Sequence, residues 1–198
     1  MAYRKWQVFA SALTVGYSAE IIIMEEIEFK AWPKIPRENP FKVTITEKID
    51  GTNACIIIAD GKIVGVQSRK RFITPGDDNY GFAKWVAENS AGIITLGDGY
   101  HYGEWAGPGI QKNPLCLDQK CFFLFNTFRW NENNPNRPEC CDVVPILFEG
   151  ILQDDTIPTL LEEMKADSLA REGVVVYYHA FRKYTKHTVK SPNGKWCK

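Results

Sequence analysis

The sequence predicts an α+β domain built on antiparallel β-sheets with a few flanking helices. Three observations support this class. Most apolar segments are short and bounded by turn residues, only two segments show helical periodicity, and helices do not alternate regularly with strands. With 198 residues the chain can bury one core, and its 44% apolar and 24% charged residues are typical of a globular protein.

The first predicted strand covers residues 42–48, with the sequence KVTITEK. Val43 and Ile45 alternate with polar residues, which is the pattern of a strand with one packed face. Lys48 falls on the opposite face. We therefore expect the Lys48 amine to point away from the packed face at the end of this strand.

The next segments predict a hairpin and two helices. Residues 53–68 form the hairpin, because Asp60-Gly61 is a strong two-residue turn signal between apolar runs. Apolar residues at helical spacing predict helices over 78–89 and 157–169. Five further strands are predicted at residues 101–105, 121–128, 143–149, 173–179 and 183–190.

The charge of the chain is balanced overall but uneven locally. Lys plus Arg equals Asp plus Glu at 24 each, so no overall positive field indicates a nucleic-acid partner. Residues 182–198, however, contain six basic residues and no carboxylate side chain. This segment is where we expect phosphate groups to bind.

The cysteines indicate the cellular compartment of the protein, and the N-terminal residues indicate where its working domain begins. The six cysteines include no Cys-x-x-Cys pair, so we expect reduced thiols in a cytoplasmic protein rather than a zinc site. No apolar stretch reaches the roughly 18 residues of a membrane span. Residues 1–23 are expected to be an N-terminal extension rather than a secretion signal, with the working domain over 24–198 and no separate C-terminal domain. We expect a monomer.

The stretch that follows the first strand is the strongest indication of chemistry. Lys48 is followed by Asp50 and Gly51, which combines an amine, a carboxylate and a residue that lets the backbone turn closely around a bound group. A lysine amine with its ordinary pKa of about 10.4 is a nucleophile only after losing its proton. Desolvation or nearby cations must therefore lower that pKa. We expect the basic residues of segment 182–198 to supply those cations near Lys48.

The Lys-Ile-Asp-Gly segment at Lys48 resembles the nucleophile motif of the covalent nucleotidyltransferase superfamily, which contains ATP-dependent DNA and RNA ligases and capping enzymes. Further motifs follow in the family's order. SRKR resembles the Ser-Arg element, which implies that Arg69 contacts a phosphate. YGEWAGPGIQ is similar to the Gly-Glu element, which implies that Glu104 contacts the ribose or a metal-bound water.

Three more motifs extend the resemblance toward the C-terminus. FFLFNTF looks like the strand whose aromatic residue stacks on adenine, and either Phe123 or Phe125 is implied. REGVVVYY matches the Glu-Gly-hydrophobic motif, which implies a metal-associated role for Glu172. KYTKHTVK resembles the closing lysine motif, which binds the α-phosphate. Its candidates are Lys183 and Lys186, which we favour, and Lys190.

The sequence around these motifs is most similar to that of a small phage-type RNA ligase branch. The resemblance implies the ligase adenylyltransferase (ATP-grasp-like nucleotidyltransferase) fold, with ATP and Mg²⁺ (or Mn²⁺) as cofactors. It implies that Lys48 attacks ATP to form lysyl-AMP, and that RNA with 5′-phosphate and 3′-hydroxyl ends is sealed. Asp50 is expected to orient the nucleophile or a metal-bound water, and Glu47 to recognise adenine.

Three alternatives to RNA sealing remain open from the sequence. The chain could join DNA instead, because recognition of a 2′-hydroxyl cannot be inferred from these residues. It could stop at self-adenylation or transfer GTP to ends. It could also bind nucleic acid without catalysis, although the intact motif set argues against that alternative.

Overall fold

The structure is a computed structural model that describes Ala31 and residues 41–131, 133–167 and 171–189. The chain divides into two units, and every helix and strand reported below lies in the second, Glu38–Lys198. The expected N-terminal extension, residues 1–23, and the candidate phosphate ligand Lys190 lie outside the described residues.

The described residues form nine strands in two sheets. The four-stranded sheet contains β1 (Lys42–Glu47), β7 (Ile146–Ile151), β8 (Gly173–Tyr178) and β9 (Lys183–Thr188). The five-stranded sheet contains β2 (Thr52–Ala59), β3 (Lys62–Ser68), β4 (Gly99–Ala106), β5 (Cys121–Leu124) and β6 (Cys141–Val143). The strand orders are β7-β1-β8-β9 and β3-β2-β4-β5-β6, and all neighbours are antiparallel except β5 and β6. The predicted α+β class is confirmed, with this one parallel pair.

The predicted hairpin is confirmed in β2 and β3, which pair antiparallel across Asp60-Gly61. Both turn residues have positive φ, 51° and 66°, as a two-residue hairpin turn of the type I′ kind requires. The backbone N–H groups of both residues donate to the carboxylate of Asp98 at 3.0 Å. That carboxylate therefore holds the turn against the segment that leads into β4.

Three α-helices accompany the sheets: α1 (Phe82–Glu88), α2 (Ser90–Ile93) and α3 (Thr156–Ala166). The helix predicted over 78–89 begins four residues later, because the Asp78 carboxylate instead accepts the N–H groups of Ala83 and Lys84, at 2.8 and 3.0 Å. The helix predicted over 157–169 ends at Ala166, where the backbone becomes extended. None of the described helices is long and apolar enough to cross a membrane.

For two of the predicted strands, the predicted residue ranges were wrong. The segment 143–149 is divided at Pro145, whose missing N–H cannot extend a ladder, and its halves belong to different sheets. The strand predicted over 121–128 ends at Leu124, although the Phe125 N–H still donates to the Tyr102 carbonyl at 3.0 Å. Phe125 therefore lies just beyond the regular strand.

Each sheet packs one face against helices. Apolar residues of β2, β4 and β5 pack against α1 and α2, with Phe82, Trp105 and Phe122 at the centre. Val43 and Ile45 of β1 are fully buried with residues of β8 beneath Met164 of α3, as the alternation predicted. The remaining faces of the two sheets carry the polar and aromatic residues that line one cavity.

Candidate active site

A cavity of about 950 Å³ lies between the two sheets. Strands from both sheets line it, and a smaller cavity of about 410 Å³ adjoins it. Four residues line both cavities: Lys48, Asn53, Arg69 and Glu104. Three of the predicted site residues, Lys48, Arg69 and Glu104, therefore lie where the two cavities meet.

Lys48 lies one residue beyond β1, at the base of this junction. Its backbone N–H donates to the Gly173 carbonyl at 2.8 Å, which ties the end of β1 to the start of β8. Gly173 has φ 142°, and a Cβ atom there would collide with the His187 carbonyl. This close strand approach holds the Lys48 side chain, 22% exposed, against the Glu172 carboxylate, with which it forms an ion pair.

The ion pair differs from the surroundings that the sequence predicted for Lys48. We expected the amine to lie among the basic residues of the C-terminal segment. Arg69 and Lys112 do line the smaller cavity beside Lys48, and Asp50 lies there as well. The partner in contact with the amine is nevertheless a carboxylate, that of Glu172, so the site is mixed in charge.

Glu104 faces Lys48 from the five-stranded sheet. It pairs with Asn53 across β4 and β2, and the Asn53 amide donates to its Oε2 at 3.0 Å. Burial raises the pKa of Glu104 to about 7; the positive charge of Lys48 opposes this, and the Glu172 and Asp50 carboxylates add to it. A Cβ at Gly51 would lie 3.0 Å from Glu104 Cγ, so the glycine allows the loop after Lys48 to approach this carboxylate.

Glu47 is buried beside the larger cavity and is held by one of its two oxygens. Arg171 Nη1 lies 2.7 Å from Glu47 Oε2, and Arg171 Nε donates to Asp167 at 2.8 Å. Burial raises the pKa of Glu47, and the Arg171 charge opposes that shift. Among the described buried side chains, Glu47 Oε1 is the polar atom with no hydrogen-bond partner. This oxygen thus keeps an unused acceptor position on a residue that lines the larger cavity.

The structure separates the two aromatic candidates. Phe125 is 41% exposed and lines the larger cavity. Phe123 is 8% exposed and packs with Ile49, Ala106 and Val144 in a small cluster behind the cavity wall. Of the two, Phe125 is thus the residue with an accessible ring.

The C-terminal lysines also separate, because side chains alternate along β9. Lys186 lines the larger cavity together with Tyr184, two residues before it. Lys183 is three residues before Lys186, so its side chain lies on the opposite face of β9. It is not among the described residues that line either cavity. The structure therefore brings one of the two favoured lysines to the site.

Two residues that the sequence reasoning did not select contact the predicted site: Asn53 and Arg171. Asn53 had a local signal, because it is a polar residue close behind the Lys-Ile-Asp-Gly segment, two residues after Gly51. Arg171 had no such signal, because its partner Glu47 lies 124 residues away in the chain.

The carboxylates at the junction fit a magnesium-type ion. Asp50, Glu104 and Glu172 all line the smaller cavity. No cluster of three or more acidic, histidine or cysteine side chains with metal-binding geometry occurs in the part of the chain that the structure describes. Mg²⁺ keeps several waters and needs one or two protein carboxylates, so Glu104 and Glu172 are a sufficient donor set.

Comparisons with known proteins concern the family and the fold. A family model described as RNA ligase matches residues 41–191. Structures of a Naegleria gruberi RNA ligase are similar: a mutant with ATP and Mn has 22% identity and TM-score 0.55, over 75% of this chain and 49% of that chain. The same enzyme with PPi has 21% identity and TM-score 0.55, over 75% and 50%. The chain thus spans about half the length of these solved proteins. No curated protein matches it significantly.

Proposed function

The chain belongs to the RNA ligase family, and from this premise we propose that it is an ATP-dependent RNA ligase that forms lysyl-AMP on Lys48. The observation that carries the proposal is the convergence of one amine, two carboxylates and one guanidinium in the lining of the smaller cavity, which adjoins the larger one. These residues are Lys48, Glu104, Glu172 and Arg69, and both sheets contribute to the set. The larger cavity has the size and mixed lining of a nucleotide site.

Adenine is the base that the larger cavity suits. The unpaired Oε1 of Glu47 is a hydrogen-bond acceptor, and the exocyclic amino group of adenine is a donor. A guanine carbonyl at the same position would meet a carboxylate oxygen with no proton between them. Phe125 offers an exposed ring on which the base stacks. Structures of the Naegleria gruberi RNA ligase contain ATP and Mn or AMP and Mn, which supports the proposal that this cavity binds an adenine nucleotide.

In the first step Lys48 Nζ attacks the α-phosphorus of ATP. A nitrogen–phosphorus bond forms, the bond from that phosphorus to the bridging oxygen breaks, and pyrophosphate leaves. Before it attacks, the Lys48 amine must lose a proton and break its ion pair with the Glu172 carboxylate. Arg69 and Lys186 both line the larger cavity and are suited to neutralise phosphate charge as it develops.

Glu104 and Glu172 would hold a divalent cation, which would withdraw charge from the phosphate oxygens. The surroundings of Glu104 favour such an ion. Burial first, and then the carboxylates of Glu172 and Asp50, raise its pKa to about 7, so a cation beside Glu104 would stabilise its charged form. Glu104 is fixed for this role by the amide of Asn53, which donates to its Oε2.

In the later steps AMP passes from Lys48 to the 5′-phosphate of an RNA strand, and a 3′-hydroxyl then attacks that phosphate. The second step breaks the nitrogen–phosphorus bond and returns the amine. The third forms the phosphodiester and releases AMP. The Lys48 side chain is 22% exposed, so a strand end can approach it from solvent.

Covalent labelling tests the proposal most directly. The protein is incubated with Mg²⁺ or Mn²⁺ and ATP labelled at the α-phosphate, and label attached to protein is measured after denaturation. We expect labelling in the native sequence and none in Lys48→Ala, whereas Lys183→Ala retains it. Absence of covalent label with either metal, in folded protein, contradicts the proposal.

Substrate arms of the same experiment separate the alternatives. The labelled protein is offered 5′-phosphorylated RNA or DNA, nicked or single-stranded. Transfer of AMP to RNA followed by joining is the expected result. Joining of DNA alone indicates a DNA ligase, label without transfer indicates a self-adenylating nucleotidyltransferase, and a GTP preference indicates a capping type of chemistry.

A further inference from the structure

We propose that Tyr100 and Tyr102 form a stacking platform for the bases of single-stranded RNA beside the reacting end. Both residues lie on β4, and both rings line the larger cavity that contains Lys48. The proposal rests on the proposed ligase function, because it names the part of the site that holds the second substrate.

The two rings are stacked against each other and are accessible to solvent. They are two residues apart on one strand and therefore project from the same face of the sheet. Their centroids are 6.1 Å apart and their planes differ by 17°, so the rings are nearly parallel. Tyr100 is 60% exposed and Tyr102 is 53% exposed. This much aromatic surface at a cavity indicates a ligand rather than core packing.

The platform is continuous with the reaction centre. Glu104, the next residue on the same face of β4, lies beside Lys48 at the junction of the two cavities. A strand end placed with its 5′-phosphate at Lys48 would pass along β4 toward Tyr102 and then Tyr100. Bases that follow the phosphate would then meet one ring after another.

The charges along this path suit a polyanion. Arg69 and Lys186 line the same cavity, and neither forms an ion pair within the described part of the chain. The two carboxylates of the cavity are already engaged, since Glu47 pairs with Arg171 and Glu104 accepts from Asn53. Aromatic rings with neighbouring cations are the usual composition of sites that hold single strands without reading sequence.

Single-stranded RNA fits this surface better than a duplex does. A stacked duplex presents phosphates and groove edges, whereas unpaired bases expose π faces to an aromatic residue. Sheet surfaces with two or three exposed aromatic residues bind bases in this way. The platform therefore predicts that unpaired nucleotides next to the reacting end bind more tightly than the same nucleotides in a duplex.

The test replaces both tyrosines and measures RNA binding and self-labelling separately. The double variant Tyr100→Leu with Tyr102→Leu removes the rings, and Tyr100→Phe with Tyr102→Phe keeps them. Phe181→Leu is the matched control, because Phe181 is an exposed aromatic residue, 55%, that packs against Phe41 instead of lining the cavity. Affinity is measured by fluorescence anisotropy with a 5′-phosphorylated single-stranded RNA, and covalent AMP is measured with labelled ATP.

We expect the leucine variant to bind this RNA at least tenfold more weakly, with the phenylalanine variant and the control within about twofold of the native protein. Covalent AMP formation at saturating ATP is expected to stay unchanged. Native affinity in the leucine variant overturns the proposal. An equal loss of AMP formation also overturns it, because the tyrosines would then belong to the ATP site.

The two proposals fail in different ways. If the native protein forms no lysyl-AMP, the ligase proposal fails, but a tenfold loss of RNA affinity in the leucine variant still supports the platform. If lysyl-AMP forms and RNA affinity does not depend on the tyrosines, the platform alone is wrong.

Discussion

Arg171 Nη1 lies 2.7 Å from Glu47 Oε2, and this contact joins the residue before Lys48 to the residue before Glu172. The pair links β1 to the entry of β8 and leaves the second oxygen of Glu47 without a partner beside the cavity. Arg171 therefore fixes the direction of a buried hydrogen-bond acceptor in the proposed adenine site.

Arg171→Met should weaken base selection as well as stability. The variant leaves Glu47 buried without its cation, so we expect the free energy of unfolding to fall by about 2 kcal/mol. Glu47 also becomes free to turn, so the preference for ATP over purine riboside triphosphate, which lacks the exocyclic amino group, should fall about tenfold. Both are measured by urea denaturation and by self-labelling. Arg137→Met, which breaks a 3.5 Å pair with Asp142, is the control and should keep the preference.

Glu104 should make stability depend on pH. Its pKa is raised from 4.5 to about 7 in the folded protein, so the folded state binds more protons than the unfolded state between these values. Stability from this group therefore falls as the pH rises through that window, by at most about 3 kcal/mol.

Glu104→Gln removes this dependence. From pH 4.5 to pH 8 the unfolding free energy of the variant should improve relative to the native protein by about 2 kcal/mol, measured by urea denaturation with a chelator present. A constant difference between the two proteins across this range would show that Glu104 does not titrate there.

The two lysines of β9 should differ in function although both are accessible. Lys186→Ala removes a cation that lines the larger cavity, so we expect the rate of self-labelling to fall at least tenfold. Lys183→Ala removes a side chain from the opposite face of β9 and should leave the rate of self-labelling within about twofold of the native rate. Rates are measured at saturating ATP, and thermal unfolding checks that both variants are folded. Equal effects of the two substitutions contradict the assignment of Lys186.

Substitution of the two phenylalanines near the end of β5 should affect different properties, ATP binding for Phe125 and stability for Phe123. Phe125→Ala should raise KM for ATP about tenfold with little change in thermal unfolding, because the ring lines the cavity and is 41% exposed. Phe123→Ala should lower the free energy of unfolding by about 3 kcal/mol, because this ring is buried. A KM change in Phe123→Ala, measured on the folded fraction, would reverse the assignment.

Local patterns were sufficient where neighbouring residues decide the outcome. The Asp60-Gly61 turn and the packed face of β1 depend on short-range backbone and burial preferences, and both were correctly predicted. The order of the ligase-like motifs likewise selected Lys48, Arg69, Glu104 and Glu172 as candidates, and all four line the smaller cavity.

The sequence by itself therefore determined the α+β class, the hairpin and the set of candidate residues. Only the tertiary structure decided which members of that set share a cavity. Phe125 rather than Phe123, and Lys186 rather than Lys183, line it because strand ends and strand phase depend on pairing with distant strands. The Glu47–Arg171 contact arises in the same way, since burial of whole sheet faces selects the register that brings these two residues together.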